Sequence, residues 1–367
     1  MNNLPSANFK FASNPLALAA AAVSLFCMTG SAKAACPLVY NPILMLLVPA
    51  PGCVEEDIAK ALKDSTTFFQ ANSATTLNLQ NQISTISDAT KARRGGLSGV
   101  ARASLADQTG LAGAAADMRW GGWAALSSNS IGYSFAPLNS SGSASSASVG
   151  VDYLYTNGVL AGVALGTDSS NTDTRFNNGN INTSGYTLSP YFMMPLGTSW
   201  TIDGSLGFGS GKVNSNFGGG LVGNTTDARS FGSLALTYST ALGNWQVQGT
   251  GSLLTSASKI NQFTLSNAAV IAGSTNGVTQ LRGGARAYYG SGQFVPFLGL
   301  SYSQDLSRTD VLPVGGQTPA NARGAFIALA GVGINQGKQV SGSVQLTSEM
   351  RQQVRNNGVQ GSLSLRF

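Results

Sequence analysis

From Trp120 to Phe367 apolar and polar residues alternate with a period of two, the spacing at which successive strand side chains point to opposite faces. Over 147–156 one face carries Ala147, Val149, Val151, Tyr153 and Tyr155, and the other Ser148, Gly150, Asp152, Leu154 and Thr156. The split recurs in Trp200, Ile202, Gly204, Leu206 and Phe208 against Thr201, Asp203, Ser205 and Gly207. It recurs again in Trp245, Val247, Gly249, Gly251 and Leu253 against Gln246, Gln248, Thr250 and Ser252. A soluble sandwich alternates in the same way, so alternation alone does not select a membrane.

The connections do. Short turns are expected at Asn157-Gly158, around Gly197, at Gly243-Asn244, at 290–292 and at 335–337. Between them lie polar segments read as long loops, 137–146, 168–180, 211–227, 255–277 and 304–321, with a shorter one at 352–358. A strict short-long rhythm is the pattern of outer-membrane barrels. It predicts an all-β membrane fold, an antiparallel up-and-down β-barrel of about twelve strands over 120–367, with both barrel ends on the short-turn side. Trp123, Tyr155, Phe192, Trp200, Phe208, Tyr238, Trp245, Tyr302 and Phe367 fall near predicted strand ends, where aromatic girdles sit.

Upstream of Trp120 the periodicity is helical. Over 55–94, residues Ile58, Leu62, Ser65, Phe69, Asn72, Thr76, Leu79, Ile83, Ile86 and Thr90 recur at spacings of four and three. Glu55, Glu56 and Asp57 stand where a helix N-terminus favours acid. The seam is thin and partly polar, which leaves coiled-coil pairing, packing on the chain itself and partial order all open. Arg93-Arg94-Gly95-Gly96 ends this helix, and the small residues of 98–118 predict a second, slimmer one. Segment 35–54 is apolar but broken by Pro37, Pro49 and Pro51, so it is not one helix.

Residues 1–34 read as an export signal: Lys10, an apolar stretch over 16–28, then Ala32-Lys33-Ala34, with cleavage expected between Ala34 and Ala35. Processing removes Cys27 and leaves Cys36 and Cys53, an even pair in a chain bound for an oxidising compartment. A disulfide between them is expected, stabilising by about 3 kcal/mol through loop entropy.

Composition narrows the function. The chain has 46 Gly in 367 residues, 10% charged residues and a mean hydropathy of +0.07. That is too apolar for disorder, and past the signal no run of 18 apolar residues offers a helical span. Removing Lys10 and Lys33 from the 21 basic residues leaves 19 against 15 acidic, too weak and dispersed for a nucleic-acid partner. With no His, Ser-His and Cys-His nucleophiles and the common zinc sites are excluded. Asp203-Gly204-Ser205-Leu206 has esterase-like letters in the wrong order on a strand, and Gly207, Gly209 and Gly211 lack the following helix of a phosphate loop. No enzymatic activity, cofactor or metal is expected. Asp152, Asp203, Arg229, Arg282, Arg286, Glu349 and Arg366 are expected to face the lumen, either to bind a plug helix or simply as solvated polar wall.

The last predicted strand, 359–367, alternates apolar residues and ends on an aromatic. Val359, Leu363, Leu365 and Phe367 resemble the C-terminal signature that the barrel-assembly machinery reads in outer-membrane proteins. The arrangement as a whole resembles an autotransporter (type V secretion) β-domain with an unusually short passenger. The resemblance implies a passenger or N-terminal segment at 35–94, a linker at 95–119 whose helix over 98–118 threads the lumen, and the barrel at 120–367. On that helix and its flank, Arg102, Asp107, Asp117 and Arg119 would meet the wall charges. It also implies export by the Sec translocon and residence in the lipid of a Gram-negative outer membrane. The barrel would be monomeric, displaying the short segment at the cell surface. No Asn-Asn pair stands where members of the family cleave themselves inside the barrel, so self-cleavage is not expected. A pore or adhesin with a periplasmic or plugging N-terminal segment is the alternative.

Overall fold

The computed structural model describes residues 38–41, 46–49, 67–93, 119–134, 139–174, 178–216, 221–266, 268, 270–271, 273–290, 292–309, 322–336 and 339–367. The export signal, the Ala34/Ala35 junction, Cys36, Cys53 and the 98–118 segment lie outside them. An antiparallel hairpin of β1 (Leu38–Asn41) and β2 (Leu46–Pro49) comes first, followed by one helix, α1 (Thr67–Arg93). Then come β3 (Trp120–Tyr133), β4 (Ser140–Leu154), β5 (Leu160–Thr174), β6 (Gly179–Leu196), β7 (Trp200–Asn216), β8 (Val222–Leu242) and β9 (Trp245–Ile260). A small hairpin, β10 (Phe263–Thr264) and β11 (Val270–Ile271), precedes β12 (Ser274–Tyr289), β13 (Phe294–Arg308), β14 (Gly324–Gln336), β15 (Val340–Arg351) and β16 (Val354–Arg366).

Apart from the two small hairpins, twelve strands form one closed antiparallel barrel in chain order, sealed where β16 pairs with β3 from Arg366↔Gly121 to Val354↔Tyr133. Closure removes every sheet edge, the condition for a backbone to cross lipid in strands. Phe367 and Trp120 exchange two backbone hydrogen bonds, 3.0 and 3.1 Å, at the seam. The five predicted short turns all lie at one end of the barrel, with Trp120 and Phe367. Gly158 (φ 81°) and Gly243 (φ 60°) sit in two of these turns, in a left-handed conformation that side chains resist.

The opposite, loop end differs from expectation. Segments read as loops are largely strand: β5 runs to Thr174, β6 starts at Gly179, and β15 and β16 join through two residues at 352–353. Strands reach 18 residues in β6 and 21 in β8, against the roughly 9–11 that cross a bilayer. Ser, Thr and Asn on both faces conceal the period of two beyond the hydrocarbon, while the backbone ladder continues unchanged.

The faces follow the alternation. Val149, Val151, Leu206 and Phe208 point outward, whereas Asp152, Asp203, Ser205, Gln246 and Gln248 are buried against the lumen. On β13, Phe294, Leu298, Leu300 and Tyr302 cover about 20 Å of height for a strand tilted by about 40°, close to the apolar band of outer-membrane barrels. At the turn end outward rings meet in pairs: Trp200–Tyr238 and Trp245–Tyr289 with centroids 4.9 Å apart, Trp120–Tyr153 at 5.1 Å. Trp123 departs from the expected girdle. It lies three residues from outward Trp120, hence on the other face, and is 5% exposed inside the barrel.

Candidate functional site

The lumen is occupied by α1. The helix contains neither Gly nor Pro, yet its many Ser, Thr and Asn give it weak intrinsic propensity, so packing must hold it. Leu79, Ile83, Ile86 and Ala89 form its apolar stripe and pack on Leu160, Ala164, Tyr191, Met193, Phe231 and Leu254 of the wall. The predicted seam is therefore real, and its partner is the barrel interior rather than a second helix. Three wall aromatics lie across glycines of neighbouring strands: Trp123 over Gly150, Tyr191 over Gly162, Phe231 over Gly207. A Cβ at any of the three glycines would lie within 2.5 Å of the ring. This accounts for strand glycines that have no place in a phosphate loop.

The other faces of α1 are polar and also buried. Asn78 and Gln82 donate to Asp168 at 3.3 Å, Gln80 donates to Gln280 at 3.0 Å, and Thr187 donates to Gln82. Lower down, Ser87 donates to Asp203 at 2.9 Å, Arg286 pairs with Asp88 at 2.9 Å, and Gln345 donates to Asp88 at 3.3 Å. These contacts set the polarity of the helix. Asp203 and Arg286 each stand three residues from the turn end of their strands, whereas Gln280 stands six from the loop end of β12. The N-terminal half of α1 thus faces the loop end and its C-terminus the turn end, where β3 begins.

Beneath the upper half of α1 lies a fully buried ion triad. Arg229 donates to Asp168 at 2.6 Å and to Asp227 at 2.7 Å, and Ser258 adds a 3.0 Å bond to Asp227. The register explains the reach. Asp168, Gly185, Gly211 and Asp227 occupy one row across β5 to β8, and the guanidinium lies over the two glycines. A Cβ on Gly185 or Gly211 would stand 2.3 Å from an Arg229 nitrogen. A second cluster near the loop end joins β12, β13 and β15: Gln280 donates to Asp305 at 2.7 Å, with Arg308 and Arg351 on the same carboxylate.

The helix leaves space on one side. A cavity of about 160 Å³ beside it is lined by Asn81, Ser84, Lys91, Arg282 and Glu349, and another of about 180 Å³ nearer the loop end by Tyr133, Asp305 and Arg351. Both are polar enough to hold water. Among the described residues no group of three His, Cys, Asp or Glu side chains could hold a metal ion.

Of the wall charges expected in the lumen, Asp203 and Arg286 touch the helix, Arg229 is neutralised within the wall, and Asp152 accepts from Tyr191 at 3.1 Å. Arg282 and Glu349 line the cavity beside α1, and Arg366 is half-buried at the turn end. Among the described residues their helical partner is α1. The 98–118 segment with Arg102, Asp107 and Asp117 lies outside the described residues, and the lumenal helix is 67–93, previously assigned to the displayed segment. Arg119 precedes β3 and donates to Tyr153 at 3.2 Å. Hydrogen-bonding complementarity to the polar wall is what holds α1 in the lumen. Asp168 and Asp227 were missed because they fall in segments read as loops. Their parity with Leu160 and Ala164, and with Phe231 and Ala235, carried the signal. Asp203 and Ser205 stand on β7, where Ser205 shares a 2.8 Å bond with Ser233. Val359, Leu363, Leu365 and Phe367 all point outward on or just beyond β16.

The fold is that of solved translocator barrels. The translocator domain of autotransporter NalP from Neisseria meningitidis superposes with a TM-score of 0.60 at 17% identity, covering 76% of this chain and 99% of that one. The beta domain of the Bordetella autotransporter Brka gives a TM-score of 0.56 at 16% identity, covering 68% and 100%. Among curated proteins no relative matches by sequence. The autotransporter beta-domain family profile matches residues 121–347, more than half of the chain. With a closed twelve-stranded barrel, a helix in its lumen and that match, the chain belongs to the autotransporter β-domain family.

Proposed function

We propose that the barrel anchors and displays the residues between the export signal and α1, 35–66, at the surface of a Gram-negative cell. The polarity of α1 carries this reading. Its N-terminal half faces the loop end, which is the outer end in barrels of this kind, and that orientation supports display on the outer side. The helix-to-wall network around Asp168, Asp203 and Asp88 then acts as the anchor that holds the displayed segment in place after passage. Export through the Sec translocon and insertion by the barrel-assembly machinery precede this step, and the protein works as a monomeric barrel without catalysis of its own.

An epitope tag inserted after Cys53 tests the proposal. In intact cells it should bind antibody and be shaved by added protease, while a tag in the turn at Gly243-Asn244 should stay protected until the outer membrane is opened. A protected tag after Cys53 in correctly inserted protein would place the segment in the periplasm.

A further inference from the structure

The outward face of β5 to β8 carries an array unlike the rest of the wall. Asn171, Asn182, Asn214 and Asn224 form one row across the four strands, and Asp173, Asn180 and Asn216 form the row above it. Strand geometry makes this a flat grid of about 4.8 by 7 Å. Side-chain bonds within it hold the amides in place: Asn180 donates to Asp173 at 2.6 Å and to Asn171, and Asn182 donates to Asn180. One step nearer the bilayer Lys212 is exposed opposite Ser184 and Thr226, and a further step down Lys259 is exposed opposite Ala228. The two lysines flank β8, offset by two residues along the strands, with backbones roughly 12 Å apart. At similar height β3 and β4 present only Ser128, Ser130, Ser143 and Ser145.

Height gives the array its meaning. On β5, β6 and β7 the outermost large apolar side chains are Leu165, Tyr186 and Phe208, while on β8 Val222 stands higher, level with Asn216. Lys212 lies four residues beyond Phe208, about 10 Å higher on a tilted strand, and Asn214 and Asn216 stand about 15 to 20 Å higher. Going outward from the hydrocarbon, β5 to β7 therefore offer apolar side chains, with Lys259 in the pairing row of Tyr186, then Lys212, then side-chain amides that share their upper row with one carboxylate, Asp173, and on β8 with Val222. We propose that this face binds the phosphorylated saccharide headgroup of an outer-leaflet glycolipid. Lys212 and Lys259 meet a phosphate as point charges. The asparagines, which both donate and accept, meet sugar hydroxyls that do the same. Tyr186 and Phe208 lie against the acyl chains. A second copy of the barrel is disfavoured as the occupant, because a symmetric contact would bring the lysines against their own counterparts. The inference uses the outward orientation of the loop end and does not depend on what is displayed.

The test uses the purified full chain, reconstituted in phosphatidylcholine vesicles containing lipopolysaccharide and re-extracted in mild detergent. Lipopolysaccharide retained per barrel is then measured. Lys212→Ala/Lys259→Ala should lower retention about thirtyfold, from two surface cations near a charged headgroup. Asn182→Ala/Asn214→Ala should lower it severalfold. Arg355→Ala, on β16 across the barrel, should retain as the parent does, and heat-modifiable mobility confirms that each variant is folded. Deacylated phosphorylated saccharide should compete, and inorganic phosphate at equal concentration should not. Equal retention by all variants would overturn the proposal, as would competition by inorganic phosphate alone, or crosslinking of barrels through this face in vesicles lacking lipopolysaccharide. The readout uses no cells, so its failure and a failure of surface display are separable.

Discussion

Replacing Arg229 by Ala isolates the buried triad. The guanidinium makes charge-assisted contacts of 2.6 and 2.7 Å with two carboxylates, and the side chains of all three residues are 0–1% exposed, so lumenal water does not resolvate what is left. Two such bonds at about 1.5–3 kcal/mol each give about 3–6 kcal/mol. Breaking a buried pair from one side independently gives about 3–5 kcal/mol. Asp168 would keep the amides of Asn78 and Gln82, and Asp227 would keep Ser258, which holds the loss toward the lower end, about 3–4 kcal/mol. The assay is reversible urea unfolding of the full chain in vesicles, followed by tryptophan fluorescence. The triple variant Arg229→Met/Asp168→Asn/Asp227→Asn, which removes all three charges at similar volume, should recover most of the loss. A loss below about 1 kcal/mol for Arg229→Ala would show that water reaches the triad, and the buried-charge reasoning would fail. A triple variant no better than the single one would show that shape, not charge, is what Arg229 supplies.

Three further outcomes are expected. Leu206→Arg, outward in the apolar band, should cost about 2–4 kcal/mol near the midplane, while Ser252→Arg, which faces the cavity beside α1, should cost far less; equal unfolding free energies would mean that the faces are misassigned. Deleting 67–93 should turn a weakly conducting barrel into an open one in planar bilayers, and unchanged conductance would deny α1 its role as plug. Removing Phe367, whose backbone is bonded twice to Trp120, should lower the outer-membrane yield of heat-modifiable barrel more than its stability once inserted; an unchanged yield would refute the assembly role.

The period of two, the short turns and the absence of helical spans were enough to specify a membrane barrel, its strand number and, Trp123 apart, which side chains face lipid. These are local properties: Val151 and Asp152 are assigned to opposite faces by adjacency alone, whatever the rest of the chain does. The seam at Leu79, Ile83 and Ile86 was equally legible, because helical spacing is local too. What covers that seam was not. Asn78 meets Asp168 across 90 positions and Asp88 meets Gln345 across 257, and no short-range pattern records which polar helix matches which polar wall. The loop end was misread for a related reason. Strands standing above the hydrocarbon have no apolar face, so only the pairing of neighbours such as Asn182 with Asn214 marks them as strand. Local periodicity determined the barrel, and closure of the sheet around one particular helix decided what the lumen holds, because complementarity between distant polar residues exists only once the wall has brought them together.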